Sequence, residues 1–167
     1  MNMKKFTLYI LSLVVALLGT SCSKEDIPMT STVDLAGEWM VCAYYGEEQL
    51  TGQFLILTYN GNADDGKTIW IDDLGNFWDP ATKVEVPCDV PSLTFGSTTP
   101  MANEYGFDDG TDLMVTVTGG KVAFGAALTP SGMPADAIEL NIEYSDDPGA
   151  VYTLKGYRRT GFVADDI

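Results

Sequence analysis

The sequence contains no histidine. That absence removes the Ser-His-Asp triad, the Cys-His pair and every histidine-ligated metal centre from the possible chemistries. Cysteine is nearly as scarce. Of Cys22, Cys42 and Cys88, the first lies in an N-terminal motif, and two thiols are too few for a thiolate zinc site. Basic residues are outnumbered, 9 against 24 acids. So acidic a chain is repelled by nucleic acid and by anionic lipid headgroups, and neither is expected as a partner. Long apolar runs are missing apart from Phe6 to Leu18, which is too short for a membrane span with these flanks. Helical periodicity is almost absent, and no internal repeat or second composition block appears.

What is present at the N-terminus is a targeting pattern. Lys4 and Lys5 precede the apolar run, which reads as the core of a signal peptide. Leu18-Gly19-Thr20-Ser21-Cys22 follows and resembles the lipobox of bacterial lipoproteins, although its leucine sits one place further from the cysteine than usual. The resemblance implies cleavage after residue 21 and a diacylglycerol on the Cys22 thiol. It divides the chain into a lipoprotein signal peptide (1–21), a flexible tether (22–33) and one folded domain (34–167). Processing there removes Lys4 and Lys5 and no acid, leaving 7 basic and 24 acidic residues and a net charge of −17. Ser23-Lys24-Glu25-Asp26 resembles the signal that exports lipoproteins of Bacteroides-type bacteria to the outer face of the outer membrane. It reads equally as a solvated tether. The expected location is the outer membrane, lipid-anchored, on its periplasmic or cell-surface face.

The remaining chain is long enough for one core, and its 46% apolar content argues against disorder. Short β-branched and aromatic runs alternate with turn residues. Strands are predicted at Glu38–Tyr45, Phe54–Tyr59, Thr68–Asp72, Lys83–Val86, Ser92–Phe95, Leu113–Val117, Val122–Leu128, Ile138–Tyr144 and Val151–Arg159. Asp73-Leu74-Gly75-Asn76 predicts a tight hairpin turn carrying Trp70 on one arm and Phe77-Trp78 on the other. Gly119-Gly120 predicts a second hairpin turn, and Ala135-Asp136-Ala137 a single helical turn. Pro87 and Pro91 place their segment at an edge or an irregular crossing. Eight to ten strands at even spacing predict an all-β, antiparallel up-and-down barrel, with a two-sheet sandwich as the alternative. Cys42 and Cys88 are either a bridge between strands or two separate buried thiols.

Without histidine, a hydrolase would need two carboxylates, a Ser-Lys pair or an acid-held metal. Acid pairs occur at Asp64-Asp65, Asp72-Asp73, Asp108-Asp109, Asp146-Asp147 and Asp165-Asp166, each beside a turn residue or at the terminus. Acids in such places stabilise turns in water, so no catalytic residue is assigned. Asn60 to Gly66 is the nearest approach to a calcium loop. Its glycine is one place late and its twelfth position is Ile71, so no metal or cofactor is expected. The aromatic residues carry more information. In an eight-stranded barrel they either fill the interior or line the mouth of a site for one small apolar ligand.

Trp70 to Trp78, Thr129 to Asp136 and Gly156 to Phe162 together are similar to one family: the lipocalin-like lipoproteins of Bacteroides-type bacteria described as lipid-binding putative hydrolases. The resemblance covers essentially the whole mature chain. It implies a calycin-type barrel and binding of a lipid or small hydrophobic ligand. More distantly, Gly37-Glu38-Trp39 and the late arginines resemble the lipocalin pattern, which implies that Arg158 or Arg159 lies over the Trp39 ring as a structural clamp. Strand parity allows only one of the two.

These readings converge on an outer-membrane lipoprotein whose barrel binds a small hydrophobic or lipid-like ligand, with Trp70, Phe77 and Trp78 as the contact residues. One alternative is a non-enzymatic interaction or assembly lipoprotein with a filled barrel that binds protein or glycan. The other is a carboxylate-dependent hydrolase.

Overall fold

The computed structural model describes residues 28–166. The signal peptide, Cys22 and the first part of the expected tether lie outside them. Nine strands run in chain order: β1 (Gly37–Tyr45), β2 (Glu48–Gln49), β3 (Phe54–Asn60), β4 (Thr68–Asp72), β5 (Lys83–Asp89), β6 (Thr94–Ala102), β7 (Met114–Leu128), β8 (Pro134–Tyr144) and β9 (Tyr152–Arg158). In the sheet order β2-β1-β3-β4-β5-β6-β7-β8-β9 each strand pairs antiparallel with the next, and β9 returns to β1 through seven residue pairs from Trp39↔Arg158 to Tyr45↔Tyr152. Eight strands therefore close the predicted lipocalin-like, up-and-down barrel, while β2 only extends the hairpin below Tyr44 and Tyr45. Closure satisfies the backbone groups that an open sheet would leave at its edges.

The period-two patterning explains the wall. Alternate residues such as Trp39, Val41 and Ala43 on β1, Ile69 and Ile71 on β4, and Ile138, Leu140 and Ile142 on β8 are buried in one contiguous cluster inside the barrel. Their sequence neighbours face outward. The N-terminal turn at residues 31–35, the β3–β4, β5–β6 and β7–β8 connections and the C-terminal 3-10 turn (Val163–Asp165) all lie at one end, the floor. The β1–β3, β4–β5, β6–β7 and β8–β9 connections lie at the other end, the mouth.

Four local expectations change. Phe77 and Trp78 belong to no strand; they sit in an irregular connection, residues 73–82, because β4 ends at Asp72 and β5 starts only at Lys83. Gly119-Gly120 does not turn the chain. β7 continues through it with a register shift between Thr118 and Lys121, and the Phe95 ring lies against Gly120. Ala135 to Ala137 form strand rather than a helical turn, since Ala135 pairs with Ala127 and Ala137 with both Ala123 and Tyr157. Pro87 stays within β5 opposite Thr68, but β5 and β6 share only two residue pairs, so the irregularity falls after it. Cys42 and Cys88 are separate free thiols, both half-buried, with burial the main cause that pushes each above its ordinary pKa.

Candidate functional site

The floor is closed by a fixed set of contacts. Trp39 is fully buried, and its indole N–H donates to Thr58 Oγ1 at 2.8 Å, whose hydroxyl donates in turn to the Leu35 carbonyl at 2.6 Å. Arg158 faces inward opposite Trp39, with its guanidinium carbon 4.3 Å from the ring centroid. The same guanidinium donates to the Ala36 carbonyl and, through Nε, to Asp136 at 2.9 Å. Gly37 leaves the space that Arg158 needs, since a Cβ there would lie 3.2 Å from its Cζ. Arg159, one residue on, faces out and pairs with Glu38 and Asp166. This end is built for rigidity.

The mouth is built differently. The 73–82 connection folds across it and brings Phe77 and Trp78 onto an aromatic layer made with Phe54, Tyr144 and Tyr152. Trp78 stacks on Tyr144 with centroids 4.0 Å apart and planes 5° from parallel, and Phe77 stacks on Phe54 at 5.6 Å. The Phe77 ring meets Tyr152 edge-on at 5.5 Å, and Tyr45 leans on Tyr152 from the rim. Phe77, Trp78, Phe54 and Tyr152 are only half-buried, so this layer caps the core while remaining in reach of solvent.

Three buried polar side chains hold the cap. Asp73 is 2% exposed and accepts from the backbone N–H groups of Gly75, Trp78 and Thr82 at 2.8, 3.0 and 2.8 Å. Asn103 accepts from the Lys83 N–H and donates to the Ala81 and Tyr105 carbonyls, tying the β6–β7 connection to the same segment. Thr82 Oγ1 and the Tyr144 hydroxyl share a hydrogen bond at 2.9 Å. The Trp78 indole N–H reaches both oxygens of Asp146 at 3.3 Å. Burial pushes the Tyr144 phenol far above its ordinary pKa. Tyr152 is pushed up to about 12, first by its hydrogen bond to Asp147, which favours the neutral phenol.

Of the three predicted contact residues, the structure brings Phe77 and Trp78 together and leaves Trp70 apart. Trp70 is 8% exposed on the outer side of the wall, beside Tyr59 and beneath the Lys83 ammonium at 5.4 Å. Strand parity accounts for this, because Ile69 and Ile71 on either side face the core. Asp73 was read only as a turn acid in water, and Asn103 was not singled out at all. Asp73 had a local signal, an acid two residues before Gly75 that forms an Asx-type turn. Asn103 had none, since its partners are remote in sequence.

The five acid pairs make structural contacts, some within a turn and some between distant segments, and Asp73 and Asp165 are buried rather than left in water as expected. Asp64 accepts from Ser31, Asp65 pairs with Lys67, Asp72 caps the Leu74 N–H, Asp109 accepts from Thr111, Asp146 holds Trp78 and Asp166 holds Arg159. Asp165 is fully buried and held down to about 2, first by donation from Ser131 and then from Thr160. Among the described residues no group of three or more acid or cysteine side chains is placed to hold a metal ion.

No curated protein matches the chain. A family model does: the one described as "lipid-binding putative hydrolase" matches residues 24–163, which takes in every strand of the barrel and both of its ends. By that match the chain belongs to this lipid-binding family.

Proposed function

We propose that this protein is an outer-membrane lipoprotein, anchored through Cys22, whose barrel mouth takes a small hydrophobic or lipid-like ligand. The observation that carries the reading is the half-buried aromatic layer at the mouth. A rigid core would have no need to place Phe77 and Trp78 on an irregular segment tied by side-chain hydrogen bonds to its own backbone. Such a segment opens at lower free-energy cost than the wall does. The ligand packs against the Phe77 and Trp78 rings above the packed interior and takes its apolar contacts from them. The anchor fits the same geometry. The first described residues lie at the floor, where Ser31 donates to Asp64, which supports an anchor that joins the barrel at the end opposite its mouth.

Two measurements test the reading. The mass of the chain extracted from its own membrane should show a diacylglycerol at Cys22; an unmodified Cys22 removes the anchor. The mature chain should bind the neutral apolar dye N-phenyl-1-naphthylamine with quenching of tryptophan emission, and Trp78→Ala should abolish the binding. Absence of binding by the folded protein removes the ligand.

The filled interior supports a second reading, an interaction lipoprotein that binds protein or glycan. A recess of about 600 Å³ lined by Pro100, Met114, Thr116 and Pro148 lies on the outer wall beside the mouth. Substitution of Met114 would then disturb partner capture while dye binding at the mouth stays as it was.

A further inference from the structure

The four connections that surround the aromatic layer, taken with the strand ends Asp72 and Lys83 that flank the 73–82 segment, are residues 46–53, 72–83, 103–113 and 145–151. They hold two, three, four and two acids, eleven in all, against one basic residue, Lys83. The floor is not built this way. All five ion pairs among the described residues use Lys67, Lys121, Arg158 or Arg159, and none reaches an acid of the mouth connections. Lys83 itself lies over Trp70 on the outer wall.

Two of the mouth carboxylates touch side chains of the aromatic layer directly, and a third holds the backbone that carries it. Asp146 meets the Trp78 indole and Asp147 the Tyr152 hydroxyl. Asp73 lies buried behind Trp78, with only backbone N–H groups as partners. The aromatic faces add to this field, because ring quadrupoles attract cations and repel anions. Clefts lined by one sign of charge with low-dielectric walls focus that field on whatever enters.

From this arrangement we infer that the mouth selects its ligand by charge: it takes neutral or cationic amphiphiles and rejects fatty acids and other anionic lipids. The inference rests on the ligand reading above and adds to it the headgroup class. A carboxylate headgroup emerging between Trp78 and Tyr152 would face Asp146 and Asp147 with no cation to pair with. A hydroxyl would donate to them, and a trimethylammonium group would be held by both the carboxylates and the rings.

The test uses the mature chain and three ligands of one chain length: dodecanoate, dodecanol and dodecyltrimethylammonium. Each competes with N-phenyl-1-naphthylamine at neutral pH, below its micellar concentration. Dodecyltrimethylammonium should bind at least as tightly as dodecanol. Dodecanoate should bind about tenfold more weakly or worse at about 0.01 M salt, where the Debye length is about 30 Å. The gap should narrow at about 0.15 M, where it is about 8 Å. The double variant Asp146→Asn, Asp147→Asn should bring dodecanoate closer to dodecanol. Equal binding of dodecanoate and dodecanol, or a gap that ignores salt, overturns the charge selection and leaves the ligand site standing. If none of the three displaces a dye that does bind, the amphiphile site itself falls. Saturable dye binding to the wild type, absent from Trp78→Ala, establishes beforehand that a site is being competed for.

Discussion

Replacing Trp39 by alanine separates the two ends of the barrel. The side chain is fully buried, donates to Thr58 and lies under Arg158. Truncating a buried tryptophan to alanine costs about 3–5 kcal/mol, most of it in the cavity left behind. The cation–π contact of about 0.5–2 kcal/mol lies within that figure, and Thr58 is not orphaned because it still donates to Leu35. With about 4 kcal/mol lost, and each kcal/mol worth about 3–4 °C in a domain of this size, Tm should fall by about 12–16 °C. Trp39 and the rim residue Tyr45 are six positions apart on β1, or about 20 Å. Changes at sites so far apart add to within about 0.5 kcal/mol, so dye affinity at the mouth should change by about twofold or less. The assays are thermal unfolding followed by far-UV circular dichroism and dye titration at a temperature where both proteins are folded. A cycle with Arg158→Met should return a coupling of about 0.5–2 kcal/mol between ring and guanidinium. An unchanged Tm with affinity lost would place the ligand at the floor and refute the assignment of ends.

Three further outcomes are expected. Asp73→Ala strips the acceptor from three backbone N–H groups and should cost about 3 kcal/mol. Amide exchange should accelerate across residues 74–82 and not in β1 or β8; uniform acceleration would mean that the segment is part of the core. Asp165, held at about 2, binds fewer protons folded than unfolded near pH 3. Its contribution is fully present above its unfolded pKa of about 3.9 and is lost as pH falls to about 2. Urea unfolding from pH 5 down to about pH 2 should therefore show a shallower acid loss in Asp165→Asn, and an unaltered profile would exclude the residue. Tyr152, at about 12 because of Asp147, has the opposite sign: its contribution is present below its unfolded pKa of about 10 and is lost as pH rises to about 12. Asp147→Asn should return its ultraviolet titration toward the ordinary phenol range, and no movement would break the assignment of cause.

Period-two patterning and closely spaced turn residues were enough, read along the chain, to predict an all-β domain of eight to ten strands and to favour a closed barrel over a two-sheet sandwich. That β7 runs unbroken through Gly119-Gly120 and that β9 pairs with β1 came from the structure. A face that alternates apolar and polar can bury itself only against other such faces. The same parity admits only one of Arg158 and Arg159 to the interior, because neighbours on a strand cannot both point inward. Residue types absent from the chain also ruled out whole chemistries without reference to shape.

Tertiary structure decided what strand patterning cannot carry. Trp70 and Trp78 look alike in sequence, yet one lies against the outer wall and the other caps the mouth. The difference lies in where β4 stops and how the 73–82 segment folds back, which is set by Asp73 and Asn103 through hydrogen bonds within the connection and across to residue 103. The one-sided charge was equally hidden. A net charge is a property of composition, but its concentration at the mouth appears only when four separate connections meet at one end of a closed barrel. Local pattern thus determines the wall, because burial there repeats every second residue. The site depends on contacts between distant segments, which only closure of the barrel brings together.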